Sequence, residues 1–150
     1  KFDESIAYIR KAIKKDNSNS EYWLTLAKVY EDNDKPGNSE KALAKAADLD
    51  PANSEIWLQW VDFCQKTGDI EKAIGIIKTG IGRNDDSILK YRLVSLLLEK
   101  KNERAAVAML TIAMKQEFVQ IDYLFDIYPK ALKNRKIKKL ISEFNKNRSV

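Results

Sequence analysis

Hydrophobic residues recur along this chain at helical rather than strand spacing. Trp57, Trp60, Val61 and Cys64 lie at i, i+3, i+4 and i+7, which puts them on one face of a helix. Ile137, Leu140, Ile141 and Phe144 repeat that spacing near the end of the chain, with lysines behind them. This predicts an amphipathic helix with one dry face, as a cap requires. The pattern itself repeats. Asn19-Ser20-Glu21-Tyr22-Trp23-Leu24 returns as Asn53-Ser54-Glu55-Ile56-Trp57-Leu58, 34 residues later with one mismatch in six. The same offset pairs Leu26 with Trp60, Ala27 with Val61, Tyr30 with Cys64, Leu43 with Ile77 and Ala46 with Gly80. A 34-residue period holding two helical patterns predicts a helical-hairpin solenoid.

With this register the chain resembles the tetratricopeptide repeat family. From Ser20 onward, Trp23, Leu26, Ala27, Tyr30, Ala46 and Pro51 match the family pattern, with Leu43 in its aromatic slot and Ser39 in an alanine slot. The copy from Ser54 matches at Trp57, Gly68, Ala73 and Ile77 and departs at Trp60, Val61, Cys64 and Asp85. The resemblance implies one all-α domain, a right-handed α-solenoid of antiparallel helix hairpins closed by a C-terminal capping helix. Its expected segments are a leftover second helix over 1–17, repeats over 18–51 and 52–85, a degenerate repeat over 86–116 and a short helix plus cap over 117–150. In the first segment Ser5, Ile9 and Ala12 take the packing slots. In the degenerate repeat Leu93, Leu97, Ala106, Leu110 and Ala113 fall in family slots once one residue is deleted near its start. Phe118 to Tyr128 reads as a short helix that Pro129 ends or redirects. Leu124, Phe125, Tyr128, Pro129, Leu140, Ile141 and Phe144 resemble the ending of a group of bacterial tetratricopeptide proteins. The turn Asp32 to Asn38 contains Pro36-Gly37, so the following helix is expected to start at Asn38 or Ser39, capped there.

Composition narrows the chemistry. Five Gly and three Pro in 150 residues leave little room for the turns of an all-β fold. There is no histidine and one cysteine, Cys64. Without them a Ser-His or Cys-His nucleophile, an ordinary zinc site and an intramolecular disulfide are all excluded. The glycines at 75, 80 and 82 have the wrong spacing for a nucleotide loop, and Asp85-Asp86 reads as a helix start. No catalysis, cofactor or metal is expected. No apolar run is long enough to cross a membrane, and the opening residues, Lys1 to Lys15, lack the apolar core of a secretory signal. The expectation is therefore a cytoplasmic protein whose natural N-terminus lies upstream.

The register also assigns a groove. In the resembled family the concave face is lined by first-helix positions two, five, nine and twelve, here Glu21, Leu24, Lys28 and Glu31, then Glu55, Leu58, Asp62 and Gln65. Five acids or amides face one lysine, which suits a basic, partly apolar peptide or helix of another protein. Family members that clamp chaperone C-termini carry Lys and Asn at groove positions five and nine of one repeat and further basic residues in the next; this chain has Leu24 and Lys28, then Leu58 and Asp62, so that clamp is not expected. Trp57, Trp60 and Phe63 also resemble the half-tetratricopeptide repeat of RNA-processing scaffolds. Both indoles are expected mostly inside as framework, since burying such a ring removes about 150–250 Å² from water.

The net charge of +5 is uneven: residues 130–150 carry +7 and residues 1–129 carry −2. Lys133, Arg135, Lys136, Lys138 and Lys139 form a basic patch that could meet nucleic acid. The plainer reading is the wet side of a capping helix. Self-association through the unpaired N-terminal helix is a further expectation.

Overall fold

The computed structural model describes residues 1–149, so the last position of the expected 117–150 segment lies outside them. Every regular element among these residues is helical: α1 (Phe2–Lys15), α2 (Ser20–Asp32), α3 (Pro36–Leu49), α4 (Ser54–Lys66), α5 (Ile70–Arg83), α6 (Ser87–Glu99), α7 (Glu103–Glu117), α8 (Ile121–Ile127) and α9 (Arg135–Arg148). Short 3₁₀ turns at Phe118–Gln120 and Pro129–Lys133 flank α8. The helices are the antiparallel hairpins of an α-solenoid, gathered into two compact units, residues 1–69 and residues 70 onward. The boundary falls between the two helices of the 52–85 segment.

Local chemistry explains why the helices start where they do. Asn19, Asn53 and Asp86 each accept a hydrogen bond from a first-turn amide, at Glu21, Glu55 and Ile88. Such caps satisfy donors that the helix itself leaves orphaned. The starts at Ser20 and Ser54 are 34 residues apart, and Ser87 follows after 33, so the third hairpin carries the one-residue deletion.

Termination is equally regular. Asp34, Gly68 and Lys101 sit two residues beyond the ends of α2, α4 and α6 with φ of 54°, 81° and 60°. The next amide, at Lys35, Asp69 or Asn102, reaches back to Tyr30, Cys64 or Leu97 at 2.9 Å in each case. This is the left-handed cap that most often uses glycine.

In the first unit α2 and α3 form a hairpin, with α1 against α2 and α4 against α3. The core contains Leu26, Ala27, Tyr30, Leu43 and Ala46, the slots read from the register. Two expectations are corrected. Helix α3 starts at Pro36, not at Asn38 or Ser39, because proline is well placed at a first helical position whose missing N–H would be unpaired anyway. Ser39 is instead fully buried and its hydroxyl donates to the Ala27 carbonyl at 2.8 Å. In α1, Ser5 is exposed and bonds the Lys1 carbonyl, while Ile6 packs beside Ile9.

In the second unit α6 is covered by α5, α7 and α8, so every residue from Leu89 to Leu98 is buried. Leu93, Leu97, Ala106, Leu110 and Ala113 are all core residues. The segment expected as one short helix is a 3₁₀ turn followed by α8, and Pro129 starts the next 3₁₀ turn. Helix α9 buries Ile137 and stacks Phe144 on Phe118 at 5.0 Å, with the Arg148 guanidinium 4.8 Å from the Phe118 ring centre.

One device recurs with a change of chemistry. Three residues into α2 and α4, the indole N–H groups of Trp23 and Trp57 donate to carbonyls of the incoming turn, at Asn17 (3.3 Å) and Pro51 (2.9 Å). At the same place in α6 stands Lys90. Its buried ammonium reaches the Asp85 carboxylate at 2.5 Å and also bonds Gln116.

Candidate functional site

The first unit holds a recess of about 530 Å³ formed by α2, α3 and α4. Helix α2 contributes Glu21, Leu24, Thr25, Lys28 and Glu31, helix α4 contributes Asp62, Phe63 and Lys66, and Leu43 comes from α3. Helix periodicity produces this lining. Glu21, Leu24, Lys28 and Glu31 follow one another at three- and four-residue steps, so they stack along a single face.

Of the sequence-assigned groove residues, the structure brings Glu21, Leu24, Lys28, Glu31 and Asp62 to this recess. Glu55, Leu58 and Gln65 lie on α4 but outside the lining. The two leucines are not open anchors: Leu24 is 7% exposed and Leu58 8%. Glu55 accepts a hydrogen bond from Gln59.

Lys66, to which the register gave no role, changes the electrostatics. Its ammonium meets Glu31 at 2.7 Å, tying α4 to α2 across the recess. That hydrogen bond and the charge of Glu31 raise the lysine pKa, with burial opposing. Lys28 pairs with Asp32 at 3.1 Å one turn along α2. Three acids thus face two lysines around an apolar floor of Leu24, Ala27 and Phe63. The lining is mildly acidic and internally paired.

The two tryptophans belong to the framework. Trp57 is 2% exposed and Trp60 half-buried. Their rings stack 6.1 Å apart at 14°, and the Trp60 indole donates to Glu40 at 3.3 Å. Neither offers two open faces to a base. Cys64 is fully buried.

The basic patch is divided in the same way. Lys136 pairs with Glu103 at 2.7 Å, and Asn134 donates to the other oxygen of that carboxylate at 2.9 Å. These hydrogen bonds, Lys136 first, hold the Glu103 carboxyl below its ordinary range. Lys139 lies 4.0 Å from Glu143, while Lys133, Arg135 and Lys138 are exposed. No helix among the described residues is long and apolar enough to cross a membrane.

Comparison with known proteins agrees with this architecture. A family model described as tetratricopeptide repeat matches residues 20–53. A TPR repeat-containing protein of Dictyostelium discoideum is 29% identical over 109 residues, covering 66% of this chain and 41% of that protein. The chain thus spans less than half the length of that relative. The crystal structure of MamA matches with a TM-score of 0.59 at 21% identity, over 99% of this chain and 92% of that one. YrrB, described as a TPR protein with an unusual peptide-binding site, matches with a TM-score of 0.57 at 13% identity, over 94% of this chain and 75% of that one. At these identities the two structures bear on fold alone.

Proposed function

For a chain that is a tetratricopeptide-repeat protein, we propose a non-catalytic role, holding a peptide or helix of another protein in the recess between α2, α3 and α4. The observation that carries this reading is the lining itself: an apolar floor of Leu24, Ala27 and Phe63 rimmed by Glu21, Asp62 and the Glu31–Lys66 pair. Such a surface accepts an apolar side chain flanked by cations that approach Glu21 and Asp62. The fold is shared with YrrB, described as a TPR protein with an unusual peptide-binding site.

The test avoids the buried leucines, whose charged replacements would unfold the helices. The chain is panned against a displayed peptide library, and an enriched peptide is titrated against wild type and the Glu21→Lys/Asp62→Lys double variant. Enrichment of basic, partly apolar sequences and a loss of about tenfold or more in the variant supports the groove. Binding that ignores both changes refutes it.

A second reading, pairing of two copies through α1, rests on Tyr8. Its side chain is 78% exposed beside a shallow recess lined by Ser5, Ile9, Thr25 and Val29. Tyr8→Glu would then lower the mass seen by light scattering; an unchanged monomer mass in wild type ends that reading.

A further inference from the structure

A second recess, of about 300 Å³, lies in the second unit. Its floor is apolar, made by the buried residues Leu98 and Ala131. Around it stand Tyr128 and three lysines, Lys101, Lys130 and Lys133. None of the three lysines is in an ion pair among the described residues, whereas Lys100 beside them pairs with Glu71. The one acid in the lining, Glu103, is taken up by Lys136 and Asn134, so it does not neutralise the rim.

Lys101 adds an independent argument. It holds φ of 60°, the left-handed conformation that Asp34 and Gly68 take at the same place in the first two hairpins. A lysine there is less comfortable than glycine for the backbone, yet its side chain lines the recess. Strain at such a position points from the outlier toward a role for the side chain.

We propose that this recess is a second docking site, for an acidic peptide segment of another protein that seats one apolar side chain on Leu98 and Ala131. Its flanking carboxylates meet Lys101, Lys130 and Lys133. Lysine ammoniums are compact point charges, well suited to separate carboxylates approaching from different directions. The apolar floor distinguishes the site from a nucleic-acid track, which needs a row of aromatic faces for successive bases. Tyr128 is the one aromatic in the lining, and it is half-buried.

The experiment is fluorescence anisotropy on the full chain with three probes: a short peptide of glutamates and aspartates around a single leucine, its glutamine and asparagine counterpart, and an oligouridylate of equal length. The acidic peptide is expected to bind at least about tenfold more tightly than the amide peptide, with affinity falling as salt rises. Lys101→Glu/Lys133→Glu should abolish that preference. Lys101→Gly separates function from folding: it should weaken the acidic peptide several-fold while melting at or above the wild-type temperature. Equal binding of the two peptides, tight binding of the RNA alone, or full affinity in Lys101→Gly would each overturn the proposal.

Discussion

The left-handed caps allow a stability prediction whose terms can be separated. At Gly68 a methyl group in place of the α-hydrogen would meet no atom within 4 Å, and φ is 81°. The cost of Gly68→Ala is therefore conformational, not steric. Holding an L-residue in the left-handed region costs roughly 1–2 kcal/mol. Alanine recovers about 0.4–1 kcal/mol of that by having less freedom in the unfolded chain. The expected net loss is about 1 kcal/mol, or a fall of about 2–4 °C in melting temperature for a chain of this size. Asp34→Gly and Lys101→Gly run the argument backwards, with gains between zero and about 1 kcal/mol. The gain should be smaller at Asp34, because aspartate tolerates this conformation better than lysine does. Urea denaturation followed by far-ultraviolet circular dichroism measures all three. A neutral Gly68→Ala would contradict the backbone argument, and a loss beyond about 3 kcal/mol would require a clash that the open space around Gly68 does not contain.

Three further outcomes follow from single residues. Trp57→Ala should cost about 3–5 kcal/mol by the same denaturation assay, since the ring is buried and its N–H is bonded to Pro51; half-buried Trp60→Ala should cost clearly less. Burial first, then the charge of Glu117, pushes the Tyr91 phenol up to about 12 from 10.0. A raised pKa contributes stability that is complete below pH 10 and lost as pH climbs from 10 to 12, so Tyr91→Phe should flatten the alkaline limb of the melting profile in that window. Lys66, raised from 10.5 by Glu31, has the same sign: its contribution is whole below 10.5 and disappears at higher pH. The exposed pair is worth no more than about 1 kcal/mol, so Glu31→Gln should melt slightly below wild type at neutral pH and converge with it in strong alkali.

The period was legible in the sequence because its causes are local. Asparagine caps and tryptophans stand at fixed steps, and each acts within a few residues of itself. The third hairpin was legible only through a deletion, since Lys90 stands where a tryptophan marks the first two. Helix α3 began earlier than expected because Pro36 reads as a breaker although its place at the first helical position makes it a starter. The candidate site was less legible because it depends on distance in space. Lys66 reaches Glu31 across 35 residues of sequence, and no helical spacing relates the two. The burial of Leu24 was hidden for a similar reason: a groove position indicates which way a side chain points, not how much neighbouring side chains cover it. A signal for the second recess was present and unread, in the alignment of Lys101 with Gly68 one residue short of a full period.

Lys90 gives the repeat a further meaning. What the three first helices hold constant is a proton donor aimed back at the turn that leads into them, not an aromatic ring. In α2 and α4 the donor is neutral and its grip is indifferent to the ionic medium. In α6 the donor is a buried ammonium facing a carboxylate that is largely in water, so its grip weakens as counterions accumulate. Physiological and concentrated salt should therefore affect the hairpins of one chain differently, with the turn ahead of α6 loosening while those ahead of α2 and α4 hold.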